Sequence, residues 1–262
     1  MAFSLPNVVA GLMVGLVVGV TGVGGGSLMT PILVFLFGIP PQTAVGTDLL
    51  YASVTKVFGT AVHHRHGSVD WAIVRRLAVG SLPAAAATLV WMRFAGADRI
   101  KDGVIIDAVA SALVLTALGM LFKDRLQRLG RNWGQGASER ALVWQPRLTV
   151  AAGIVLGLLV TLTSIGAGAL GTVMLVYLYP VRLNAARLVG TDLAHAIPLA
   201  LIAGLGHLTL GNVDFPLLGN LLIGSIPGVL VGSLISSRAP VGLIRYCIAI
   251  VLTLVAVKMF LR

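Results

Sequence analysis

Residues 45–49 read Val-Gly-Thr-Asp-Leu, and residues 189–193 read Val-Gly-Thr-Asp-Leu again. The offset of 144 continues downstream. Gly67, Val69 and Asp70 fall on Gly211, Val213 and Asp214, His63 falls on His207, and Gly80, Ser81 and Pro83 fall on Gly224, Ser225 and Pro227. Over residues 45–83 about 14 of 39 positions are identical, where chance gives roughly two or three. Apolar segments match through Leu and Val by composition alone, but matched Asp, His and Pro do not arise that way. Upstream, an offset of 142 sets Gly24, Gly26 and Leu28 on Gly166, Gly168 and Leu170, and the change of offset marks a short insertion near Tyr179-Pro180. The chain is read as one unit duplicated: a first repeat over 1–122, a connector over 123–146 and a second repeat over 147–262, all within one membrane domain of residues 1–262.

Composition says what solvent surrounds that unit. Hydrophobic residues make up 57% of the 262 and charged residues 11%, against about 25% charged in a soluble domain. Hydrocarbon, not water, must cover such a surface, and a bilayer core asks for about 20 apolar residues per helix. About eight stretches approach that length: 7–37 interrupted at Gly22 to Gly26, 42–64, 71–94, 103–122, 147–179 interrupted at Ser164 to Gly171, 186–210, 214–236 and 241–261. The expectation is an all-α polytopic membrane protein of about eight transmembrane helices in two homologous repeats, each with a Gly-rich broken helix. The apolar N-terminal stretch is read as the first membrane helix rather than a cleaved signal. The net charge of +10 is read as topology rather than nucleic-acid binding, because the cations gather between apolar segments. The connector, with Lys123, Arg125, Arg128, Arg131, Arg140 and Arg147 at or near it, is expected in the cytoplasm, and eight crossings would place both termini there too; an interrupted segment that re-enters instead of spanning changes the parity. Cys247 is the single cysteine, so neither a disulfide nor a Cys-x-x-Cys metal site follows.

Duplicated membrane halves mark secondary transporters, whose substrate sites are built by discontinuous helices at matching places near the midplane. Here those places are Gly22-Val23-Gly24-Gly25-Gly26-Ser27 and Ser164-Ile165-Gly166-Ala167-Gly168-Ala169. Glycines in a helix interior cost about 1 kcal/mol each, so both runs are read as unwound, and the half-helix that follows would point N–H groups at an anion. Close helix packing through small residues is the competing explanation. Asp48 and Asp192 lie in apolar runs, where a charge costs at least about 2.5–3.5 kcal/mol. Helical spacing sets Tyr51, Thr55 and, more roughly, Lys56 and His63 beside Asp48, and His195 and His207 beside Asp192. A helix cap after Gly46 would explain Asp48 equally well. Lys56 either attracts an anion, pairs with Asp48 or snorkels to the cytoplasmic surface. His63 to His66 make a poor metal site and suit an interface. Asp70 and Asp214 are expected to cap the next helices, and Pro83 and Pro227 to kink them. No nucleophile–base–orienter set is visible, and the glutamate, Glu139, lies in the connector; an enzyme is not expected.

The strings GVTGVGGGSLMTPIL, GIPPQTAVGTDLL and HRHGSVDW, followed by TSIGAGALGTVMLVYLYP and RLVGTDLAHAIPLALIAGLGHLTLGNVD, resemble both repeats of the sulfite exporter TauE/SafE family, also called the toluene-sulfonate uptake permeases. The resemblance implies a secondary transporter in the inner membrane for small sulfur-containing anions such as sulfite or organosulfonates. Substrate contacts are then expected at Gly24, Gly25, Gly26, Ser27, Thr47, Tyr51, Lys56, Ser164, Gly166, Gly168, Thr191 and His195. A carboxylate repels an anion unless it is protonated or holds a cation, so Asp48 and Asp192 are expected to couple transport to H⁺ or Na⁺. No cofactor, metal or nucleic acid is expected; the partners are the anionic substrate, the coupling ion and the bilayer, and a homo-oligomer is compatible with this reading. A channel, a carrier for another small solute, a membrane-embedded enzyme and a scaffold subunit are the alternatives.

Overall fold

Without water to bond the backbone, an apolar segment satisfies its own N–H and C=O groups by coiling into a helix. A computed structural model describes residues 3–21, 26–63, 69–95, 102–122, 125–129, 139–166, 168–235 and 241–261. Those residues form α1 (Leu5–Thr21), α2 (Gly26–Phe35), α3 (Pro41–His63), α4 (Trp71–Ala95), α5 (Asp102–Leu121), α6 (Glu139–Thr163), α7 (Ala169–Leu178), α8 (Ala185–Thr209), α9 (Phe215–Ile235) and α10 (Val241–Phe260). A short turn of helix lies at 125–129, and no strand occurs among the described residues. Four stretches are long and apolar enough to cross a membrane on those grounds alone: Trp71–Ala95, Trp144–Thr163, Arg187–Thr209 and Phe215–Ile235. This is an all-helical, multi-pass membrane protein.

The second interrupted segment breaks between Thr163 and Ala169, within the expected stretch, while residues 22–25 of the first interruption lie outside the described residues; both segments turn back. Gln145, near the start of α6, donates to the Leu178 carbonyl at the end of α7 (2.6 Å), and Thr149 bonds the Tyr179 hydroxyl (2.7 Å). The α6–α7 pair is therefore a hairpin whose two ends share one face of the protein. In the first half, α2 at 10 residues rises only about 15 Å, half the hydrocarbon thickness, and leads directly into α3.

Hydrogen bonds between the halves give the relative directions. The backbone N–H of Asp214, just before α9, donates to Thr47 near the start of α3 (3.0 Å). The backbone N–H of Asp70, just before α4, donates to Thr191 near the start of α8 (3.0 Å). The start of α3 thus meets the end of α8, and the end of α3 meets the start of α8, so these central helices run antiparallel. Following the chain from there sets Asp70, the ends of α5 and α7, the starts of α6, α8 and α10, and hence the connector, on one face. Residues near both termini lie on the other, where Ser4 donates to Asn220 (3.0 Å) and the Lys258 ammonium sits 5.5 Å over the Phe35 ring.

This corrects the expected topology. Eight crossings would leave the connector and both termini on one face, and the structure separates them, because each broken segment returns to its starting side. A second difference is smaller. The connector was taken to reach residue 146, yet α6 begins at Glu139 and carries Pro146 inside it. Hydropathy records where hydrocarbon begins, whereas a helix can start earlier, in water.

Two seams lock the halves together. Along α1, Gly11, Gly15 and Gly19 lie directly against the backbone of Leu221, Ser225 and Val229 of α9. Along α6, Gly153 and Gly157 lie against Leu77 and Ser81 of α4 in the same way. Helices in lipid associate through such close backbone contact rather than through exclusion of water. A Cβ at Gly224 would overlap the Val8 carbonyl oxygen, whereas one at Gly103 meets open space. Gly224→Val is therefore expected to destabilise the protein by about 1–3 kcal/mol or more and to lower the midpoint of thermal unfolding in detergent. Gly103→Val should stay within about 0.5 kcal/mol of the parent.

Candidate functional site

The two antiparallel central helices carry one carboxylate each, and each is held by a threonine from the half-helix that precedes it. Thr30 of α2 donates to Asp48 Oδ2 (2.6 Å). Thr172 of α7, whose hydroxyl also reaches the Gly168 carbonyl, donates to Asp192 Oδ2 (3.4 Å). Asp48 is 0% and Asp192 2% exposed, so both carboxylates lie inside the bundle rather than at its surface. Gly171 makes room for one of them: a Cβ there would fall on Asp192 Oδ1.

Lys56 lies within electrostatic reach of both. It is 2% exposed and interacts electrostatically with Asp192 and with Asp48. Of the three roles open to it, snorkelling is the one the structure removes, since its ammonium does not reach the surface. His195, 1% exposed, stands next to this charge. Its Nε2 bonds Ser81 of α4 (2.8 Å), and its Nδ1 has no partner among the described residues. At the corresponding place in α3, Tyr51 faces Ser225 and Thr55 without closing a hydrogen bond, while Ser225 and Thr55 bond each other (3.0 Å).

The break in the second hairpin completes the cluster. Ser164 holds φ 59°, and Gly166 and Gly168 hold φ 119° and 143°. Left-handed backbone is easy for glycine but costs a serine about 1–3 kcal/mol, and such strain persists where the surroundings impose it. Ser164 is buried and faces Asp48, although neither its hydroxyl nor Asp48 Oδ1 closes a hydrogen bond. Buried polar atoms are normally paired. Asp48 Oδ1, Ser164 Oγ, Tyr51 Oη and His195 Nδ1 are therefore open positions inside one sealed cluster. Together they offer an ammonium, hydroxyls, an imidazole nitrogen and the first amide groups of α7 around two carboxylates. This chemistry can hold a small anion beside a cation or proton.

The structure gathers Tyr51, Lys56, Ser164, His195, Asp48 and Asp192 into this cluster, with Gly166 and Gly168 in the adjoining backbone. Thr47 and Thr191 are employed differently, accepting the Asp214 and Asp70 amide N–H groups that bind the halves together. His207 is satisfied by the Thr161 carbonyl (2.8 Å) and faces Asn212, a packing role. Asp70 and Asp214 do cap their helices, accepting from the N–H groups of Ile73 and Leu217. Gly24 and Gly25 lie outside the described residues, as do His64, Arg65 and His66. Gly26 and Ser27 open α2. Thr30, Thr172, Ser81 and Ser225 were missed as site residues, although the offsets of 142 and 144 pair Thr30 with Thr172 and Ser81 with Ser225.

A family model described as Sulfite exporter TauE/SafE matches residues 8–259. The chain is 39% identical over 218 residues to the probable membrane transporter protein YjnA of Bacillus subtilis (strain 168), which spans 82% of this chain and 83% of that one. It is 30% identical over 209 residues to the probable membrane transporter protein YdhB of the same organism, 79% of each. It is 26% identical over 207 residues to the probable membrane transporter protein MJ0441 of Methanocaldococcus jannaschii, 76% of this chain and 69% of that one. No solved structure matches.

Gly171 offers a test of how tightly the carboxylate is held. Helix propensity alone predicts that Gly171→Ala stabilises α7 by about 1 kcal/mol. Contact with Asp192 predicts the opposite: a lower thermal midpoint in detergent, because the new methyl displaces a buried carboxylate. A midpoint that rises by the propensity increment would show that Asp192 does not depend on that space.

Proposed function

This chain belongs to the sulfite exporter TauE/SafE family of membrane transporters, and on that premise we propose that it is a secondary active transporter for small sulfur-containing anions, sulfite or an organosulfonate, coupled to H⁺ or Na⁺. The observation that carries this reading is one buried lysine within electrostatic reach of two buried carboxylates, at the meeting of two antiparallel helices and a strained break. Ionisable groups cost too much inside a membrane to serve packing alone.

The parts divide as follows. Lys56, Tyr51, His195 and Ser164, with the backbone at Gly166 and Gly168 and its counterpart at Gly24 to Ser27, contact the anion. Glycines there let the backbone approach a ligand, and the half-helix starts add N–H donors. Asp48 and Asp192 carry the coupling ion, so anion and cation compensate each other's charge in a site that excludes water. The reciprocal bonds of Thr47 to Asp214 and of Thr191 to Asp70, each partner displaced by 144 positions, support two homologous repeats of inverted orientation. Inverted repeats supply alternating access by exchanging the conformations of the halves.

Orientation follows from charge. Arg75, Arg76, Arg125, Arg128, Arg147, Arg182 and Arg187 lie towards the connector face against Asp70 and Glu139, while Arg93 and Lys258 lie towards the other against Asp102, Asp107 and Asp214. The positive-inside rule then places the connector in the cytoplasm of a bacterial inner membrane and both termini outside.

Uptake of radiolabelled sulfite and of a small sulfonate into proteoliposomes, with and without an imposed pH or Na⁺ gradient, tests the reading. Gradient-dependent accumulation of one, competed by the other, is expected. Asp48→Asn and Asp192→Asn should abolish accumulation against a gradient, and Lys56→Met should weaken apparent anion affinity roughly tenfold or more, the scale of a lost charged hydrogen bond. Full, still-coupled transport by Asp48→Asn would refute its coupling role. A folded protein that moves neither anion would point to a channel or to a carrier for another small solute.

A further inference from the structure

The two faces of the protein are not closed alike. On the connector face, Arg182, in the link between α7 and α8, grips Asp70 with both arms of its guanidinium: Nε to Oδ2 at 2.7 Å and an Nη to Oδ1 at 2.9 Å. Asp70 is 11% and Arg182 48% exposed in their side chains. The same guanidinium lies 5.9 Å from the Tyr179 ring centroid. The Tyr179 hydroxyl in turn bonds Thr149 of α6 and accepts from Arg76 of α4 (3.3 Å). One arginine thus ties the end of the broken hairpin to the turn before α4, and through Tyr179 to α4 and α6. On the opposite face Asp214 accepts its capping N–H and donates its own amide N–H to Thr47, but it forms no ion pair among the described residues. The positions that the two offsets match to Arg182 are Pro40 and Gly38, and neither can supply a cation.

We propose that the Asp70–Arg182 pair is a latch that holds the cytoplasmic entrance to the central cluster closed, with no matching ion pair on the outer face among the described residues. Opening inward must break a bidentate ion pair; on the outer face no carboxylate–guanidinium pair stands in the way among the described residues. The inference rests on the alternating-access reading but not on which anion is carried. The latch responds to salt rather than to pH. Partial burial pushes the Asp70 carboxyl up, but Arg182 and the amide groups of Ile73 and Ala72 more than offset this and hold it below its ordinary value. A depressed carboxylate is fully charged above its ordinary value of about 3.9, and its contribution is lost only as pH falls through the lowered one. Arg76 and Tyr179 are the other charged and polar groups described at the latch, and the lowered Asp70 carboxyl leaves closure insensitive to pH near neutrality. Screening by added salt weakens it.

The test reads access to the cluster directly. In a Cys247→Ser background, Ser164→Cys serves as reporter, and a membrane-impermeant maleimide is applied to each face of oriented vesicles. If Ser164→Cys does not fold, as judged by size exclusion, Thr55→Cys replaces it. Arg182→Gln is expected to raise labelling from the connector face roughly two- to five-fold, the scale of an exposed ion pair, and to leave labelling from the other face unraised. Asp214→Asn should leave connector-face labelling unchanged, and the swap Asp70→Arg with Arg182→Asp should return it toward the parent. Unchanged labelling in Arg182→Gln, or an equal rise on both faces, overturns the latch. Sulfite uptake is measured in parallel on vesicles of the parent and of Arg182→Gln with Ser164 and Thr55 intact. A protein that carries no sulfite but shows the one-sided rise keeps the latch and loses the substrate; one that carries sulfite yet ignores Arg182 loses only the latch.

Discussion

A charge inside hydrocarbon is tolerable only when the surrounding structure answers it, and in this protein two carboxylates and one ammonium are answered in one place. Asp48 and Asp192 cannot face lipid, so α3 and α8 occupy the centre of the bundle. Each carboxylate needs a donor, so the half-helices α2 and α7 start at depth, where Thr30 and Thr172 can reach. A helix that stops inside a membrane leaves backbone groups to be satisfied, which accounts for the glycines and the strained Ser164 at the second break. Even the bareness of Gly171 follows from the room that Asp192 needs.

The arrangement is nearly but not fully symmetric, and its departures are where direction enters. Thr30 and Thr172, Ser81 and Ser225, and Thr47 and Thr191 are matched pairs in matched roles. Tyr51 and His195 occupy matched positions with different chemistry. Lys56 has Ala200 as its counterpart, so the central positive charge belongs to one half alone. A carrier built of two identical halves would have no preferred side. Here the asymmetric groups sit in the central cluster and on the connector face.

Much of the architecture could be read from residues alone. The apolar runs became helices with borders close to those expected, because hydropathy follows burial in lipid. What it does not record is direction. The ten residues of α2 are too few to cross, and that length was the available sign that the broken segments fold back. The carboxylates stood out because charge is rare in such runs. Their partners did not, since Thr and Ser are common in membrane helices and only the offsets connect Thr30 with Thr172. Thr47 and Thr191 show the limit of spacing: a hydroxyl beside a buried carboxylate is equally well placed to bond a substrate or to clamp a neighbouring turn, and the residues alone did not announce the clamp.

The seam between α1 and α9 reaches across almost the whole chain, with Ser4 and Asn220 separated by 216 positions. At the usual pace of synthesis, about 5–20 residues per second, the glycine face of α1 waits roughly ten to forty seconds for the surface it fits. During that interval the first half is inserted but unfinished, and its small-residue stripe meets lipid or another nascent chain. The two halves are accordingly not separable modules that fold and then dock. Each is the template on which the other completes itself, and the order of synthesis makes the first half the one that has to wait.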